Sequence, residues 1–435
     1  MRTSTTLFLA LATLALGVWL FLAERPADRD KVRAPLLGAK PEEIQSIRIE
    51  RVDEVVLLER SANHATRWRI TAPRAERADN RRVRALIDTL SRARPTRSLP
   101  DSMEEAGDLV HPRARLEFTS HDGTVAAVEI GRTAPLGESA YIRTPAHGIV
   151  LAPADAAFAA DRGFDDLRER QLLEPLSGVE TILLSRPGLP DFRLAREADG
   201  WRITDPLDAP ADQARISTWL ERVNGLRAER FLDDPDPAEF TRAGFDAPAL
   251  AIRLRSAAGE RTIALGRSDP GAESPAGWVR IDTEPRLASV AQEGLRGIDV
   301  SPEQLRDRRI LRLDPADFAT IELRRPGTDT LALQRDGEQW TSPDSTLDSS
   351  SLERFVADLA DLRSEVDPVP PGGLPSTPPS FSVEIADKLG QQLAVLDFAE
   401  AADAVFTVRS RPDGQQFVIG PHAWARLDKR AENLR

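Results

Sequence analysis

The 435-residue chain contains no cysteine, two methionines, one tyrosine and five histidines. The missing cysteine excludes disulfides, thiolate metal sites, cysteine nucleophiles and a lipidated N-terminal cysteine. It leaves the redox compartment open, because an exported protein can do without disulfides. The histidines are His64, His111, His121, His147 and His422, and no two stand three or four residues apart. With no His-Glu-x-x-His helix, a metal site is not expected. A Gly-x-x-x-x-Gly-Lys-Ser/Thr phosphate loop and a Gly-x-Gly-x-x-Gly dinucleotide turn are also missing, so no cofactor is expected. Positive charge is short by 12, spread along the sequence, which argues against a nucleic-acid partner. Aromatics make up only 5%, yet seven of them are Trp. Apolar content of 41% and charged content of 29% suit folded material rather than a disordered or many-pass membrane chain.

One long uncharged run is present, Thr5 to Ala23. As a helix its 19 residues would be roughly 28 Å long, close to the hydrocarbon thickness of a bilayer. A cleaved signal peptide is the rival reading, but a cut after Ala23 puts Phe21 at −3, where a small residue is wanted. An uncleaved anchor over residues 5–23 is therefore expected. Flanking charge gives a mixed answer. Arg2 stands on one side and Arg25, Arg29, Lys31 and Arg33 on the other, which by the positive-inside rule puts the bulk in the cytoplasm. The short basic start before an apolar run resembles an export signal.

Beyond the anchor, one stretch organises the chain. Trp68-Arg69-Ile70-Thr71-Ala72-Pro73 with Ala78-Asp79 returns as Trp201-Arg202-Ile203-Thr204-Asp205-Pro206 with Ala211-Asp212. A shortened version is Trp340-Thr341-Ser342-Pro343 with Leu347-Asp348. Other landmarks keep step: Ile130-Gly131-Arg132 with Leu265-Gly266-Arg267, Arg168-Glu169-Arg170 with Arg306-Asp307-Arg308, Arg186-Pro187-Gly188 with Arg325-Pro326-Gly327. Lys429-Arg430 near the end faintly echoes the Arg-x-Arg pair. Each unit opens with alternating apolar residues and a meander, then an amphipathic helix. The helical stripes are Val83, Leu86, Ile87, Leu90; Ile216, Trp219, Leu220, Val223; and Leu352, Phe355, Val356, Leu359. Short strands follow. The expected architecture is α+β: a cytoplasmic tip and anchor (1–24), a juxtamembrane linker (25–40), and repeats at 41–172, 173–310 and 311–435. The third repeat carries a Pro/Gly-rich insertion at 367–379.

Chemistry is sought next in the repeated residues. Trp68, Trp201 and Trp340 could be glycan platforms; core residues packing strand on helix are the favoured reading. Pro73, Pro206 and Pro343 end the Trp strand and set the turn. Asp79, Asp212 and Asp348 are expected to cap the helices that follow. Arg170 and Arg308 could grip a partner's carboxylate or phosphate, or form an internal ion pair, the reading favoured here. Ser268 misses the nucleophile-elbow spacing by one residue. Asp233-Asp234-Pro235-Asp236 is too proline-rich for a calcium loop. Repetition favours structure over catalysis, so no catalytic residue is assigned.

The Trp68–Pro73 and Trp201–Pro206 strands with their Ala-Asp dipeptides, and the endings Arg168-x-Arg170-x-x-Leu173 and Arg306-x-Arg308-x-x-Leu311, resemble the bacterial domain-of-unknown-function family 4340. The third repeat departs from the pattern by lacking the Ile-Thr spacing. Such proteins are often encoded beside ABC transporters of the gliding-motility type. The resemblance implies a non-enzymatic, single-pass inner-membrane protein with its bulk in the periplasm, an accessory or scaffold to a transporter permease or a large extracytoplasmic subunit. An envelope module binding glycan or peptide along exposed strand edges is the alternative.

Overall fold

The computed structural model describes residues 34–433 except 62–63, 136, 199, 338, 343–348, 367–368, 370–376, 402–404 and 412–413. The expected anchor, most of the linker, most of the Pro/Gly-rich insertion, Pro343 and Asp348 lie outside the described residues. Among the described residues no helix is long and apolar enough to cross a membrane. The fold is α+β and repetitive, built mostly on three antiparallel sheets.

The first repeat runs β1 (Ile44–Arg51), β2 (Val55–Ser61), β3 (His64–Ala72), β4 (Glu76–Arg77), α1 (Asn80–Arg92), β5 (Arg97–Ser98), β6 (Ala114–Ser120), β7 (Val125–Thr133), β8 (Ser139–Thr144), β9 (Gly148–Pro153), α2 (Ala154–Ala160) and α3 (Phe164–Leu167). Its strand order is β4-β3-β2-β1-β6-β7-β8-β9-β5. Two meanders thus share one sheet, with β1 pairing β6 between them. The apolar residues of β1, Ile44, Ile47 and Ile49, break strict alternation between the first two. The structure absorbs this with a register shift between Ile44 and Ser46, the extra residue of a bulge. All three isoleucines are then buried. Helix α1 buries Val83, Leu86, Ile87 and Leu90 in one core with Trp68, Ile70 and the β1 isoleucines.

The second repeat contains β10 (Val179–Ser185), β11 (Phe192–Glu197), β12 (Gly200–Asp205), β13 (Ala209–Pro210), α4 (Gln213–Asn224), β14 (Arg230–Leu232), α5 (Pro237–Ala243), β15 (Leu250–Ser256), β16 (Gly259–Ser268), β17 (Ala276–Ile281), β18 (Leu287–Ala291), α6 (Gln292–Leu295) and α7 (Pro302–Leu305). The runs β13-β12-β11-β10-β15 and β16-β17-β18-β14 repeat the two halves of the first order. Even the bulge recurs, between Val179 and Thr181. The third repeat has β19 (Thr320–Arg324), β20 (Leu331–Asp336), β21 (Gln339–Thr341), α8 (Ser349–Ala360), β22 (Phe381–Ala386), β23 (Gln392–Ala401), β24 (Val405–Arg411), β25 (Gln416–Ile419) and α9 (Pro421–Asn433), in the order β21-β20-β19-β22-β23-β24-β25. Lys429 and Arg430 lie within α9, so the faint echo of the Arg-x-Arg ending is not a structural one. Helix α9 instead closes the third core, with Trp424 stacked 4.9 Å from Phe406 and tilted against Phe381 at 5.7 Å.

By contacts the chain divides into two compact units. One is Met1–Leu176, Arg222–Ala249 and Thr262–Arg296; the other is Ser177–Glu221, Leu250–Arg261 and Gly297–Arg435. The segment after α4 is therefore grouped with the first repeat.

Repeat glycines mark one tight approach. A Cβ on Gly131 would lie 2.0 Å from the Gly107 carbonyl oxygen, and a Cβ on Gly266 would lie 2.2 Å from that of Ala243. Both strands run against the same turn, which leaves no room for a side chain.

Candidate functional site

The repeated signature is where sequence pointed, so the site is built from it. Trp68, Trp201 and Trp340 are 5%, 7% and 5% exposed. They are packed into cores and offer no ring face to a glycan. The Trp68 N–H donates to Asn80 Oδ1 at 2.7 Å, and the Trp201 N–H to Gln213 Oε1 at 3.0 Å. Each ties the Trp strand to the first residue of the helix it covers. Pro73 and Pro206 follow directly on β3 and β12, both after cis peptide bonds. Asp79 Oδ1 accepts from the Arg81 and Arg82 N–H groups at 3.0 and 3.2 Å; Asp212 Oδ1 accepts from Ala214 and Arg215, both at 3.1 Å. Each satisfies otherwise orphaned donors of a helix N-terminus.

The same aspartates serve a second purpose. The Asp79 N–H donates to the Leu167 carbonyl at 2.7 Å, and the Asp212 N–H to that of Leu305 at 2.7 Å. This clamps the segment that ends each repeat against its own helix start. The ending segment then pairs with the turn after the next helix: Leu172 N–H to Leu226 carbonyl at 2.9 Å and Ala228 N–H to Arg170 carbonyl at 2.8 Å. The second copy has Ile310 to Leu362 at 2.9 Å and Ser364 to Arg308 at 2.9 Å. An arginine on that turn returns to the capping carboxylate. Arg227 lies 3.6 Å from Asp79 Oδ2, and Arg363 lies 3.2 Å from Asp212 Oδ2. One oxygen of each aspartate thus caps its own helix and the other holds the following repeat.

Arg170 and Arg308 belong to this junction. Arg170 Nη1 donates to the Glu229 carbonyl at 2.9 Å and Arg308 Nη1 to the Glu365 carbonyl at 2.8 Å. The bonds are intramolecular, but their acceptors are main-chain oxygens and not the carboxylates of the expected ion pair. The buried ion pair belongs to the neighbouring Arg168, which is 1% exposed. Its guanidinium meets Asp233 twice, at 2.8 and 3.1 Å, and Asp165 at 3.0 Å, with Glu76 at 3.8 Å. It lies 3.8 Å over the Phe231 ring and 4.8 Å over Phe164. Arg286 pairs with Glu76 and covers Phe231 at 5.0 Å. Burial alone would lower the Arg168 pKa, but the bonds to Asp233 and Asp165 and the charge of Glu76 outweigh it and raise it. A charge so enclosed is held by its partners; it is not presented for catalysis.

Sequence reasoning paired Arg186 with Arg325 as landmarks without finding their use. Arg51 lies 3.3 Å from Asp161, Arg186 donates to Asp299 at 2.7 Å, and Arg325 to Asp428 at 2.7 Å. Each ties the end of a repeat's first strand to its closing segment. The run Asp233-Asp234-Pro235-Asp236 is also explained: Asp233 binds Arg168, Asp234 binds Arg74, and Asp236 caps α5. Ser268 ends β16. Among the described residues no group of three or more His, Asp or Glu is placed to hold a metal ion.

The geometry is that of a tandem repeat protein with a fixed docking pattern. The family model described as "Domain of unknown function (DUF4340)" matches residues 68–202 and again 201–366. The chain belongs to this family. Each match runs from one signature tryptophan to the next repeat, and so spans a junction. No curated protein and no solved structure matches the chain.

Proposed function

We propose that this chain is a non-enzymatic accessory or scaffold protein of the bacterial inner membrane. It is anchored by residues 5–23, with its repeats in the periplasm and an ABC-type transport system as its partner. The observation that carries this reading is the use made of the repeated polar residues. Asp79, Asp212, Arg170 and Arg308 cap helices and join repeats, which suits a structural array that presents surfaces. The 19-residue uncharged run supports an anchor, and the family's usual neighbourhood supports a transporter permease or extracytoplasmic subunit as the partner. The test is purification of the native complex from membranes. Recovery of a transporter subunit is expected; repeated recovery without one contradicts the proposal. A reporter fused to the C-terminus reads the topology, and a cytoplasmic signal would place the repeats inside. Binding of the protein to isolated peptidoglycan would favour the envelope-binding alternative.

A further inference from the structure

Where the first and second repeats differ at matched positions, folding does not dictate the choice, because the other repeat folds without it. One such place surrounds the turn that follows β5. Three features of its backbone recur in both repeats. The Leu109 N–H meets the Glu104 carbonyl at 2.9 Å as the Phe245 N–H meets that of Phe240 at 3.2 Å. Asp108 and Gly244 both have positive φ, 57° and 87°. The Arg113 N–H meets Ile130 as the Ala249 N–H meets Leu265, both at 2.9 Å. Side chains differ. The second repeat forms helix α5 and seats Phe240 and Phe245 edge to face, 6.4 Å apart, with Arg280 over Phe240 at 4.9 Å. The first has only a short 3-10 turn, Asp101–Met103, with Glu104 bound to Arg143 in place of the aromatic contact.

The result is an open groove in the first repeat with a cavity volume of about 840 Å³. Asp101, Glu105 and Asp108 line it, all exposed. Pro237, Thr241 and Gly244 occupy the matching positions in the second repeat. Val52 and Val110 also line it and are 83% and 54% exposed. Arg113, which replaces Ala249, keeps Nε and Nη2 shielded from solvent and without a hydrogen-bond partner. Its Nη1 lies 3.8 Å from Asp161.

We propose that this groove is a docking site for an extended segment of a partner protein in which arginine or lysine alternates with aliphatic residues. The cationic side chains meet Asp101, Glu105 and Asp108, and the aliphatic ones cover Val52 and Val110. Arg113 and Arg132 line the groove as well, but Arg113 faces Asp161, and the three remaining carboxylates outnumber Arg132, so charge complementarity selects a basic peptide over an acidic one. The proposal stands on the groove alone and holds whether or not the transporter reading survives.

The test uses the full-length protein in detergent and fluorescence anisotropy with a labelled octapeptide of alternating valine and arginine. Octapeptides of valine with glutamate and of serine with arginine are the comparisons. The valine–arginine peptide binds about tenfold more tightly than either, and the triple variant D101N/E105Q/D108N loses about tenfold in affinity. That variant alters only exposed side chains, so its unfolding midpoint stays unchanged. Asp246→Asn, at the position that matches Val110 in the second repeat, leaves binding unchanged. Failure of the valine–arginine peptide to bind overturns the proposal. Equal binding of the glutamate peptide, or full binding by the triple variant, does so as well.

Discussion

The junction that follows the first repeat and the one that follows the second share a backbone and differ in their side chains. Both place an aspartate N–H on the carbonyl of the closing segment at 2.7 Å, and both return an arginine to that aspartate. Only the first encloses a second arginine. Arg168 is buried against two phenylalanines and three carboxylates, whereas its counterpart Arg306 is only half-buried. The second junction uses a local pair instead, Asp307 with Arg309 at 3.0 Å. Main-chain pairing with a doubly used aspartate therefore suffices to join two repeats. The buried cluster is an added lock on one of them.

The largest effect should come from breaking that lock. Arg168→Ala leaves Asp233 without its buried cation and Glu76 with Arg286 alone, and should cost about 3 kcal/mol. Arg306→Ala should cost about 1 kcal/mol; urea unfolding of the two variants measures the difference. Next come the shared devices, which should behave alike in both repeats. Gly131→Ala and Gly266→Ala each force a methyl against a carbonyl, and should each cost about 1–3 kcal/mol in the same assay. Unequal losses would mean that the two turns are not equivalent. Of similar or smaller size, Asp79→Ala and Asp212→Ala each remove a helix cap and the carboxylate that meets Arg227 or Arg363, at about 1–2 kcal/mol. Helix content by circular dichroism, together with the urea midpoint, reads this.

The smallest effect is one of pH. Burial opposes the ionisation of Asp307, but hydrogen bonds from the Arg309 side chain and main chain outweigh it and hold its carboxyl below the usual range. A depressed carboxylate stabilises the fold above its unfolded pKa of about 3.9, and that contribution disappears as pH falls through the lower folded value. Unfolding midpoints measured from pH 5 to pH 2 should therefore fall, and Asp307→Asn should remove part of that slope.

Much of the fold was legible because its signals are local. The helical stripes, the Trp strands and the capping aspartates each announce themselves within a few residues, and repetition confirms them. The bulges in β1 and β10 were less plain: a three-residue gap between apolar positions hints at one, but only the register shows it. The junction escaped because its partners are far apart in sequence. Arg168 and Asp233 are 65 residues apart, and Arg363 and Asp212 are 151 apart. Arg94, Arg227 and Arg363 each follow a capping-position aspartate by fifteen residues. That regularity was available, yet nothing local says what such an arginine would touch. Attention fell on Arg170 rather than Arg168 because both belong to one motif, and motif spacing does not separate a buried side chain from a half-buried one.

Amide hydrogen exchange in Arg168→Ala tests the central claim most directly, since it reads both junctions in one molecule. The account predicts faster exchange at Leu172 and Ala228, with Ile310 and Ser364 unchanged. Equal acceleration at all four amides, or none at the first pair, would contradict it.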